Sequence, residues 1–360
     1  MSESVDFIVN RTNLRETAFV AGQHSAETAL ESGQVLLRVD RFAFTANNIT
    51  YGAVGELIGY WSFFPAKDGW GRIPVWGFAD VVHSRCEGLQ AGERIYGYLP
   101  MSNYLVVQPE HISVAGFIDA SSHRAALPPI YNQYTRVAGD PGYDRAREAQ
   151  LALFRPLFTT AFLLDDFLTA SACFGARSVI LSSASSKTAL GLAFLLSQAG
   201  RCEVVGLTSS TNKAFVKRTG YYTRTVAYDD LRSISGGTPA VFVDFAGNAS
   251  LVSGVHHALG AKLKYSCSVG VTHWEKMAPT ADLPGPAPIL FFAPDHARRR
   301  IEDWGAAGLQ TRVGEAMGGF LASTHWLRIV EGRGQTAVEA VYRAALEGKM
   351  DPSEGHMLSL

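Results

Sequence analysis

The residues best suited to chemistry form a polar turn between an apolar run and a helix-period segment. Residues 182–187 (SSASSK) follow the apolar run Ser178–Leu181, and Gly200 ends the helix-period segment that comes next. A second β-like run covers residues 203–207. This order predicts a βαβ unit whose first turn presents backbone N–H groups and hydroxyls at a helix N-terminus, which suits a pyrophosphate. The Gly-x-Gly-x-x-Gly fingerprint is missing, so a plain βαβ unit with a serine-rich turn is the alternative.

The end of the second β-like run predicts which nicotinamide cofactor the chain would bind. NAD-binding units place an acidic residue there to accept the ribose 2′-hydroxyl. In this chain the place holds residues 208–210 (TSS), with Asn212 and Lys213 just beyond. Small hydroxyls and a nearby cation suit a 2′-phosphate, so the sequence predicts NADP(H). A helix N-cap followed by a solvated lysine is the alternative.

The residues just past the strand ends lie along one edge of such a sheet, where ligands bind. The predicted cofactor-binding residues at this edge are Ser185, Ser186, Lys187, Thr188, Thr208, Ser209, Asn212, Lys213, Tyr228, Ala246, Gly247, Val269 and Gly270.

Polar residues earlier in the chain are candidates for the chemistry itself. Hydride transfer needs a proton source or an oxyanion stabiliser beside the cofactor. Tyr51 and Tyr60 are predicted proton donors, and Asn48 is predicted to orient a carbonyl. His123 is a further candidate because histidine titrates near neutrality. Core packing is the alternative for each of these side chains.

An aromatic-rich stretch at residues 51–76 predicts an apolar wall or lid. Such a wall is what a flat, uncharged substrate needs. Trp76, Tyr131 and Tyr134 are therefore predicted to contact the substrate, with packing in the core as the alternative.

The composition of the 360-residue chain excludes several classes of partner. A formal net charge of −1 gives no electrostatic footprint for nucleic acid or an anionic membrane. The sequence predicts no secretory leader, and no apolar run in it approaches the roughly 20 residues that span a bilayer. The four cysteines, Cys86, Cys173, Cys202 and Cys267, lack Cys-x-x-Cys spacing. They are expected to be free thiols of a cytoplasmic protein, with no metal site.

The positioning elements fall into two kinds. Residues 1–115 show many short β-like runs and little helical period, which predicts a β-rich, barrel-like unit. Helices are predicted at 144–154 and 158–172, interrupted by Pro156. Strands and helices then alternate between 177 and 294, which predicts a doubly wound parallel sheet of strand order 3-2-1-4-5-6.

The last part of the chain is predicted to return to the first domain. Residues 297–330 are expected to be helix or loop, and 336–347 a helix. Residues 356–360 have the pattern of a strand that pairs with the N-terminal domain.

Four short stretches carry a family resemblance: residues 35–48 (VLLRVDRFAFTANN), 74–81 (PVWGFADV), 91–95 (AGERI) and 159–162 (TTAF). With the domain order, they resemble the medium-chain dehydrogenase/reductase superfamily, in particular its zinc-free quinone oxidoreductase and enoyl reductase branch. Several of these stretches are altered together, which indicates a divergent bacterial offshoot of that branch.

The resemblance implies an α/β fold: a Rossmann doubly wound parallel sheet plus a β-rich GroES-like N-terminal domain. It places the GroES-like domain at residues 1–156, completed by 298–360, and the dinucleotide-binding domain at 157–297. It also implies that Thr160 contacts the cofactor, and that a tyrosine near the position of Tyr60 is the acid. Homodimers formed through the edge of the Rossmann sheet are common among similar proteins.

The departures from the family pattern argue against catalytic zinc. Asn47, Asn48 and Trp76 stand where zinc-dependent members carry their ligands. The sequence thus predicts an NADPH-dependent, zinc-independent reductase of a small apolar or aromatic molecule with an activated alkene, quinone or ketone. The alternative is a non-redox Rossmann protein, either a lyase or isomerase or a nucleotide sensor.

Overall fold

The computed structural model describes residues 4–235, 237–269 and 283–360. The strands are β1 (Val5–Asn10), β2 (Thr17–Ala21), β3 (Val35–Phe44), β4 (Trp70–Gly71), β5 (Pro74–Ser84), β6 (Arg94–Pro100), β7 (Tyr104–Val107), β8 (Pro109–Glu110), β9 (Gly116–Asp119), β10 (Gln133–Arg136), β11 (Ser178–Leu181), β12 (Glu203–Thr208), β13 (Arg224–Ala227), β14 (Ala240–Asp244), β15 (Leu263–Ser268), β16 (Ile289–Leu290), β17 (Arg328–Arg333) and β18 (Glu354–Ser359). The α-helices are α1 (Ala46–Ala53), α2 (Gly55–Ile58), α3 (Glu148–Ala170), α4 (Lys187–Ala199), α5 (Lys213–Thr219), α6 (Ala249–Leu259), α7 (Ala293–Ser323) and α8 (Gly334–Leu346).

The chain divides into two compact units. The first comprises Met1–Leu153 and Arg328–Leu360, and the second comprises Phe154–Leu327. We expected residues 298–327 to complete the first unit, and the structure places them in the second. The reason is the packing of α7, whose buried Phe320 ring lies 5.1 Å from the ring of Phe158.

The first unit is built from β-sheets, as its sequence pattern predicts. A three-stranded sheet has the order β2-β1-β4, and a larger sheet runs β17-β18-β3-β5-β6-β10-β9-β8, with β7 also paired to β3. The predicted return strand is confirmed, because β18 pairs antiparallel with β3, placing Met357 opposite Ala43. The buried aliphatic residues of β3, Val35 to Leu37, anchor the centre of this sheet.

The second unit contains a six-stranded parallel sheet in the order β13-β12-β11-β14-β15-β16. Numbered along the chain, this is the predicted order 3-2-1-4-5-6. Every residue of β11 and β14 is buried, as expected for central strands covered on both faces. The helix α4 ends where predicted, because Gly200 adopts the left-handed conformation at φ 61° that closes a helix.

One predicted interruption is absent, since α3 continues through Pro156 as a single helix. A proline inside a helix costs about 3 kcal/mol. Phe154, Leu157 and Phe158 flank it and are all buried. Burying each such side chain contributes roughly 1.5–3 kcal/mol, so the three together outweigh the cost of the proline.

Among the described residues, no helix combines the length and apolar character needed to cross a bilayer.

An arginine shared by three carboxylates joins the main strands of the first unit to the start of α3. Arg94 of β6 donates to Glu148 at 2.6 Å, to Asp40 at 2.7 Å and to Asp80 at 2.8 Å. Burial alone would raise the pKa of Asp40 and Glu148. The hydrogen bonds and charge of Arg94 outweigh burial and hold both pKa values below the ordinary range.

Replacing this arginine (Arg94→Met) leaves three neighbouring carboxylates without their shared cation. We expect the free energy of unfolding near neutral pH to fall by about 2–3 kcal/mol, because uncompensated charges remain. A lowered pKa in the folded protein contributes stability above the unfolded-state pKa and loses it as the pH falls. The difference between wild type and variant therefore shrinks below about pH 4, which urea unfolding at several pH values measures.

Arg38→Met is the matched control for this prediction. Arg38 also contacts Asp80, at 3.3 Å, but its side chain is 56% exposed. Its loss is expected to cost less than about 0.5 kcal/mol at any pH. Equal destabilisation by the two substitutions contradicts the assignment of Arg94 as the organising cation.

Candidate functional site

The carboxyl edge of the parallel sheet is closed by a buried serine–aspartate pair. Ser182 follows β11, and its Oγ donates to Oδ1 of Asp244, the last residue of β14, at 2.5 Å. The same Oγ accepts the backbone N–H groups of Phe245 at 2.8 Å and Ala246 at 3.1 Å. Burial raises the pKa of Asp244, although the hydroxyl and the backbone amides favour its charged form. The pair therefore fixes the ends of two central strands to each other.

The turn between β11 and α4 is held by groups from neighbouring strands. The Ser183 N–H donates to the Tyr228 hydroxyl at 3.0 Å, and the Ala184 N–H donates to the Leu207 carbonyl at 2.9 Å. The Tyr222 hydroxyl donates to the Ala184 carbonyl at 2.8 Å. Ser183 has φ 47°, in the left-handed region that favours glycine. A serine thus takes a backbone conformation for which dinucleotide turns employ glycine.

Gly206 of β12 allows this turn to lie close to the sheet. A Cβ atom at position 206 would lie 2.9 Å from the Ala184 Cβ and 2.8 Å from the ring of Tyr222. Only glycine fits here without displacing the turn.

Hydroxyl and amide side chains link the first turn, residues 182–187 between β11 and α4, to the second turn, residues 208–213 between β12 and α5. Ser186 caps α4 by accepting the Ala189 N–H at 3.4 Å. Ser185 Oγ accepts from Asn212 Nδ2 at 3.1 Å, and Ser209 Oγ accepts the Asn212 backbone N–H at 3.3 Å. The structure therefore brings the predicted residues of the two turns together.

Charges of both signs lie beside the second turn, one from α5 and one from the residues after β13. Lys213, the first residue of α5, is exposed and follows the turn as predicted. Ser210 Oγ lies 3.4 Å from both carboxylate oxygens of the exposed Asp229. Asp229 was not among the predicted site residues, because it follows β13 and reaches Ser210 through the parallel pairing of β12 with β13.

The other predicted cofactor residues are placed as follows. The Gly247 N–H donates to Asp244 Oδ2 at 3.0 Å, and the Val269 N–H donates to the Asp244 carbonyl at 2.8 Å, so both lie at the same edge. Thr208 is buried at the end of β12. Gly270 lies outside the described residues.

The hydroxyls of Thr160 and Tyr228 each make a hydrogen bond within the second unit. The Thr160 hydroxyl donates to the Pro156 carbonyl within α3 at 3.2 Å, so its hydrogen bond stabilises the helix. Tyr228 lies at the edge, but its oxygen accepts the Ser183 N–H and supports the turn. Burial raises the pKa of Tyr228 to about 12, so its hydroxyl stays protonated at neutral pH.

Within the first unit, five aromatic residues form what we call the tyrosine cluster: Tyr51, Tyr60, Trp76, Tyr98 and Tyr131. Ring centroids lie 4.7 Å apart for Tyr51 and Tyr60, and 4.8 Å apart for Tyr98 and Tyr131. The hydroxyls of Tyr60 and Tyr131 are 3.0 Å apart, and Trp76 Nε1 donates to the Tyr51 hydroxyl at 3.4 Å. Burial raises the pKa of all four phenols, which keeps them protonated.

Tyr98 is a member that the sequence analysis missed. It lies opposite Trp76 in the pairing of β5 with β6. The strand register was the signal that could have found it, since directly opposed residues share one face of a sheet.

Asn48 does not have the free amide that its predicted role requires. Its Oδ1 accepts the Thr45 N–H at 2.8 Å, completing a capping box at the start of α1. Its Nδ2 donates to the Pro74 carbonyl at 2.9 Å. The prediction that Asn48 orients a substrate carbonyl is therefore replaced by a structural role.

Tyr134 and His123 likewise make structural contacts. Tyr134 is 1% exposed, donates to the Tyr98 carbonyl at 2.6 Å and accepts from Arg124 at 3.1 Å, so it is a core residue and not a pocket wall. His123 Nε2 lies 3.2 Å from the Phe63 carbonyl. Burial lowers the pKa of His123, which leaves it neutral at neutral pH.

The hydrogen bond between Ser182 and Asp244 is the feature of this edge that sequence reasoning missed. The available signal was a carboxylate that ends an otherwise apolar run, since a buried charge needs hydrogen-bonding partners. Within the described ranges, no group of three or more His, Cys, Asp or Glu side chains is arranged to hold a metal ion.

Comparisons with known proteins add the following. A family model described as "Protein of unknown function (DUF2855)" matches residues 42–351. No curated protein matches the sequence.

Solved structures resemble the whole chain. CurA from Vibrio vulnificus is 13% identical over 99% of this chain and 98% of its own, with a TM-score of 0.66. Etr1p in complex with NADP and crotonyl-CoA is 11% identical over 100% of both chains, with a TM-score of 0.60. The yhdH oxidoreductase from Salmonella enterica, in complex with NADP, is 15% identical over 99% of each chain, with a TM-score of 0.54. The chain thus has the fold of the medium-chain dehydrogenase/reductase superfamily, a Rossmann sheet with a GroES-like domain, as the resemblance implied.

Removing the buried hydroxyl (Ser182→Ala) tests the role of the serine–aspartate pair. Asp244 then loses its one hydroxyl donor and keeps the amides of Ala246 and Gly247, while the Phe245 amide loses the Ser182 acceptor. We expect the free energy of unfolding to fall by about 1–3 kcal/mol, the cost of unsatisfied buried polar groups. Ser185→Ala, which removes one half-buried hydroxyl, is the control and is expected to cost less than about 1 kcal/mol. If urea unfolding shows the same loss of stability for Ser182→Ala and Ser185→Ala, the serine–aspartate pair does not stabilise the protein more than an ordinary hydroxyl contact.

Proposed function

The chain belongs to the family described as "Protein of unknown function (DUF2855)", and we propose that it is an NADPH-dependent, zinc-independent oxidoreductase. Its substrate is an activated alkene, quinone or ketone of small apolar or aromatic character. One observation carries the proposal: hydrogen bonds hold three turns together at the carboxyl edge of the parallel sheet. These turns are residues 182–187, 208–213 and 244–247. Ligands bind at this edge in open α/β sheets. The solved structures of this fold with NADPH or NADP support the choice of cofactor.

The residues of the first turn fit a pyrophosphate. Contacts with the neighbouring strands hold its backbone, and it leads directly into the N-terminus of α4, where the helix dipole favours an anion. We assign the pyrophosphate to Ser185, Ser186, Lys187 and Thr188, where hydroxyls and an ammonium add to the helix N-terminus.

The residues of the second turn fit the ribose with its 2′-phosphate. We assign this group to Ser209, Asn212 and Lys213. Once bound, the reduced nicotinamide supplies the hydride.

The tyrosine cluster supplies the proton in this proposal. We assign the donor to Tyr51, whose oxygen accepts from Trp76 and which also has a side-chain hydrogen bond with Asn47. Tyr60 shares its hydroxyl contact with Tyr131, so we rank it second as the donor. Because burial raises the pKa of both phenols, the donor is protonated across the neutral range.

The same cluster sets the expected substrate class. The ring centroids of Trp76 and Tyr131 lie 6.1 Å apart within the cluster, so its surroundings are largely aromatic. Aromatic walls with few polar groups favour flat molecules of low charge.

The second candidate function is a non-redox protein with the same nucleotide site, either a sensor or a lyase or isomerase. It is favoured by two backbone N–H groups of the first turn that already have acceptors. The Ser183 N–H donates to the Tyr228 hydroxyl, and the Ala184 N–H donates to the Leu207 carbonyl. The phosphate contacts are then left to residues 185–188.

We further propose that the protein forms a homodimer in the cytoplasm. The edge strand β16 supports self-association, because Ile289 and Leu290 are 53% and 62% exposed. The four free cysteines support a reducing compartment.

Nucleotide binding and turnover separate the two functions. We expect NADPH to raise the melting temperature, because a ligand that binds only the folded state stabilises it. We also expect a member of a panel of enones, quinones and ketones to be reduced, followed by the loss of NADPH absorbance. Binding without turnover on the whole panel favours the non-redox candidate, and failure to bind either NADPH or NADH overturns both nucleotide assignments.

Substituting the proposed donor (Tyr51→Phe) should lower kcat by about a hundredfold or more, with the NADPH Kd unchanged, because general acid catalysis contributes that much. Tyr60→Phe is the matched variant and should have a smaller effect. The wild-type rate should stay level from neutral to mildly alkaline pH, since a raised pKa keeps the phenol protonated. A larger loss in Tyr60→Phe reverses the assignment.

A further inference from the structure

The carboxylate of Asp229 lies beside the turn that we assign to the ribose 2′-phosphate. Strands β12 and β13 are parallel neighbours, and Thr208 is paired with Ala227. The two residues that follow each of these positions leave the sheet at the same edge. As a result, Ser210 Oγ lies 3.4 Å from both carboxylate oxygens of Asp229, 19 residues later in the chain.

This arrangement gives the turn two charges of opposite sign. Lys213 is exposed and offers a cation that attracts a phosphate. Asp229 is exposed as well, and its carboxylate repels a phosphate at the same turn. A phosphate monoester carries nearly two negative charges at neutral pH. At about 4 Å in water, one pair of unit charges changes an equilibrium constant by about fivefold.

We propose that Asp229 is a specificity-determining residue that opposes the 2′-phosphate. The preference for NADPH over NADH is then the balance of Lys213 and Asp229, and it is smaller than the cation alone would give. This inference rests on the proposed nucleotide site and concerns how that site discriminates between the two cofactors.

The test measures the affinity of the adenosine end of the cofactor by titration calorimetry. The probes are adenosine 2′,5′-bisphosphate and adenosine 5′-monophosphate, which differ only in the 2′-phosphate, and then NADPH and NADH. Asp229→Asn removes the charge and keeps the shape of the side chain. Because the residue is exposed, the substitution is expected to leave the stability of the folded protein essentially unchanged.

In Asp229→Asn we expect the affinity for the bisphosphate and for NADPH to rise about three- to tenfold. The affinities for the monophosphate and NADH should change less than about twofold, since neither carries a 2′-phosphate. The gain should shrink in about 1 M salt, because exposed charges are screened. Lys213→Gln should produce the opposite change with the same probes.

Asp230→Asn is the matched control. Asp230 is the next residue and is also exposed, but the Ser210 hydroxyl contact is to Asp229. The control removes the same net charge, so it should reproduce only a small part of the gain.

Three results would overturn the inference. The first is an unchanged ratio of bisphosphate to monophosphate affinity in Asp229→Asn. The second is a gain that Asp230→Asn matches. The third is a selective loss of NADH affinity, which would make Asp229 an acceptor for the ribose 2′-hydroxyl. If the unmodified protein binds none of the four nucleotides, the proposed function itself fails and this inference falls with it; the variants are not needed to see that.

Discussion

The carboxyl edge of the sheet in the second unit depends on the hydrogen bonds made to one buried carboxylate. Asp244 ends a strand in which every residue is buried, so its charge needs nearby hydrogen-bond donors. Ser182 and the backbone N–H groups of Ala246 and Gly247 supply them. These donors can reach the carboxylate only if β11 and β14 end side by side and their following turns bend toward each other. The carboxylate therefore organises the edge at which a nucleotide would bind.

The turn after Ser182 shows how a chain without the glycine fingerprint builds a comparable shape. Ser183 adopts a left-handed conformation that costs a non-glycine residue on the order of 1 kcal/mol. The hydroxyl of Tyr228 and the carbonyl of Leu207 hold the backbone in that conformation. One hydroxyl and one carbonyl contact thus replace the backbone freedom of glycine, and they engage amides that a glycine-rich turn would offer to a phosphate.

In the first unit, the exclusion of water from a group of phenols sets their chemistry. Tyr51, Tyr60 and Tyr131 are buried against one another, and burial disfavours the phenolate in each. Neutral phenols are proton donors, which is the state that a reduction requires from its acid. Asn48 contributes indirectly, because its amide caps α1, the helix that carries Tyr51.

The sequence by itself determined the order of the elements, because strand and helix periods are local properties of the chain. The six-strand alternation, the end of α4 at Gly200 and the return strand β18 were all predictable from residue pattern. Only the tertiary structure decided which polar side chains face a ligand and which support the fold. Tyr134 turned inward, and Asp229 reached Ser210, through the pairing of strands distant in sequence. The predicted strand order already made β12 and β13 neighbours. Which side chains then meet depends on the pairing register and on the path of the turns, and these are specified where a whole sheet face is buried.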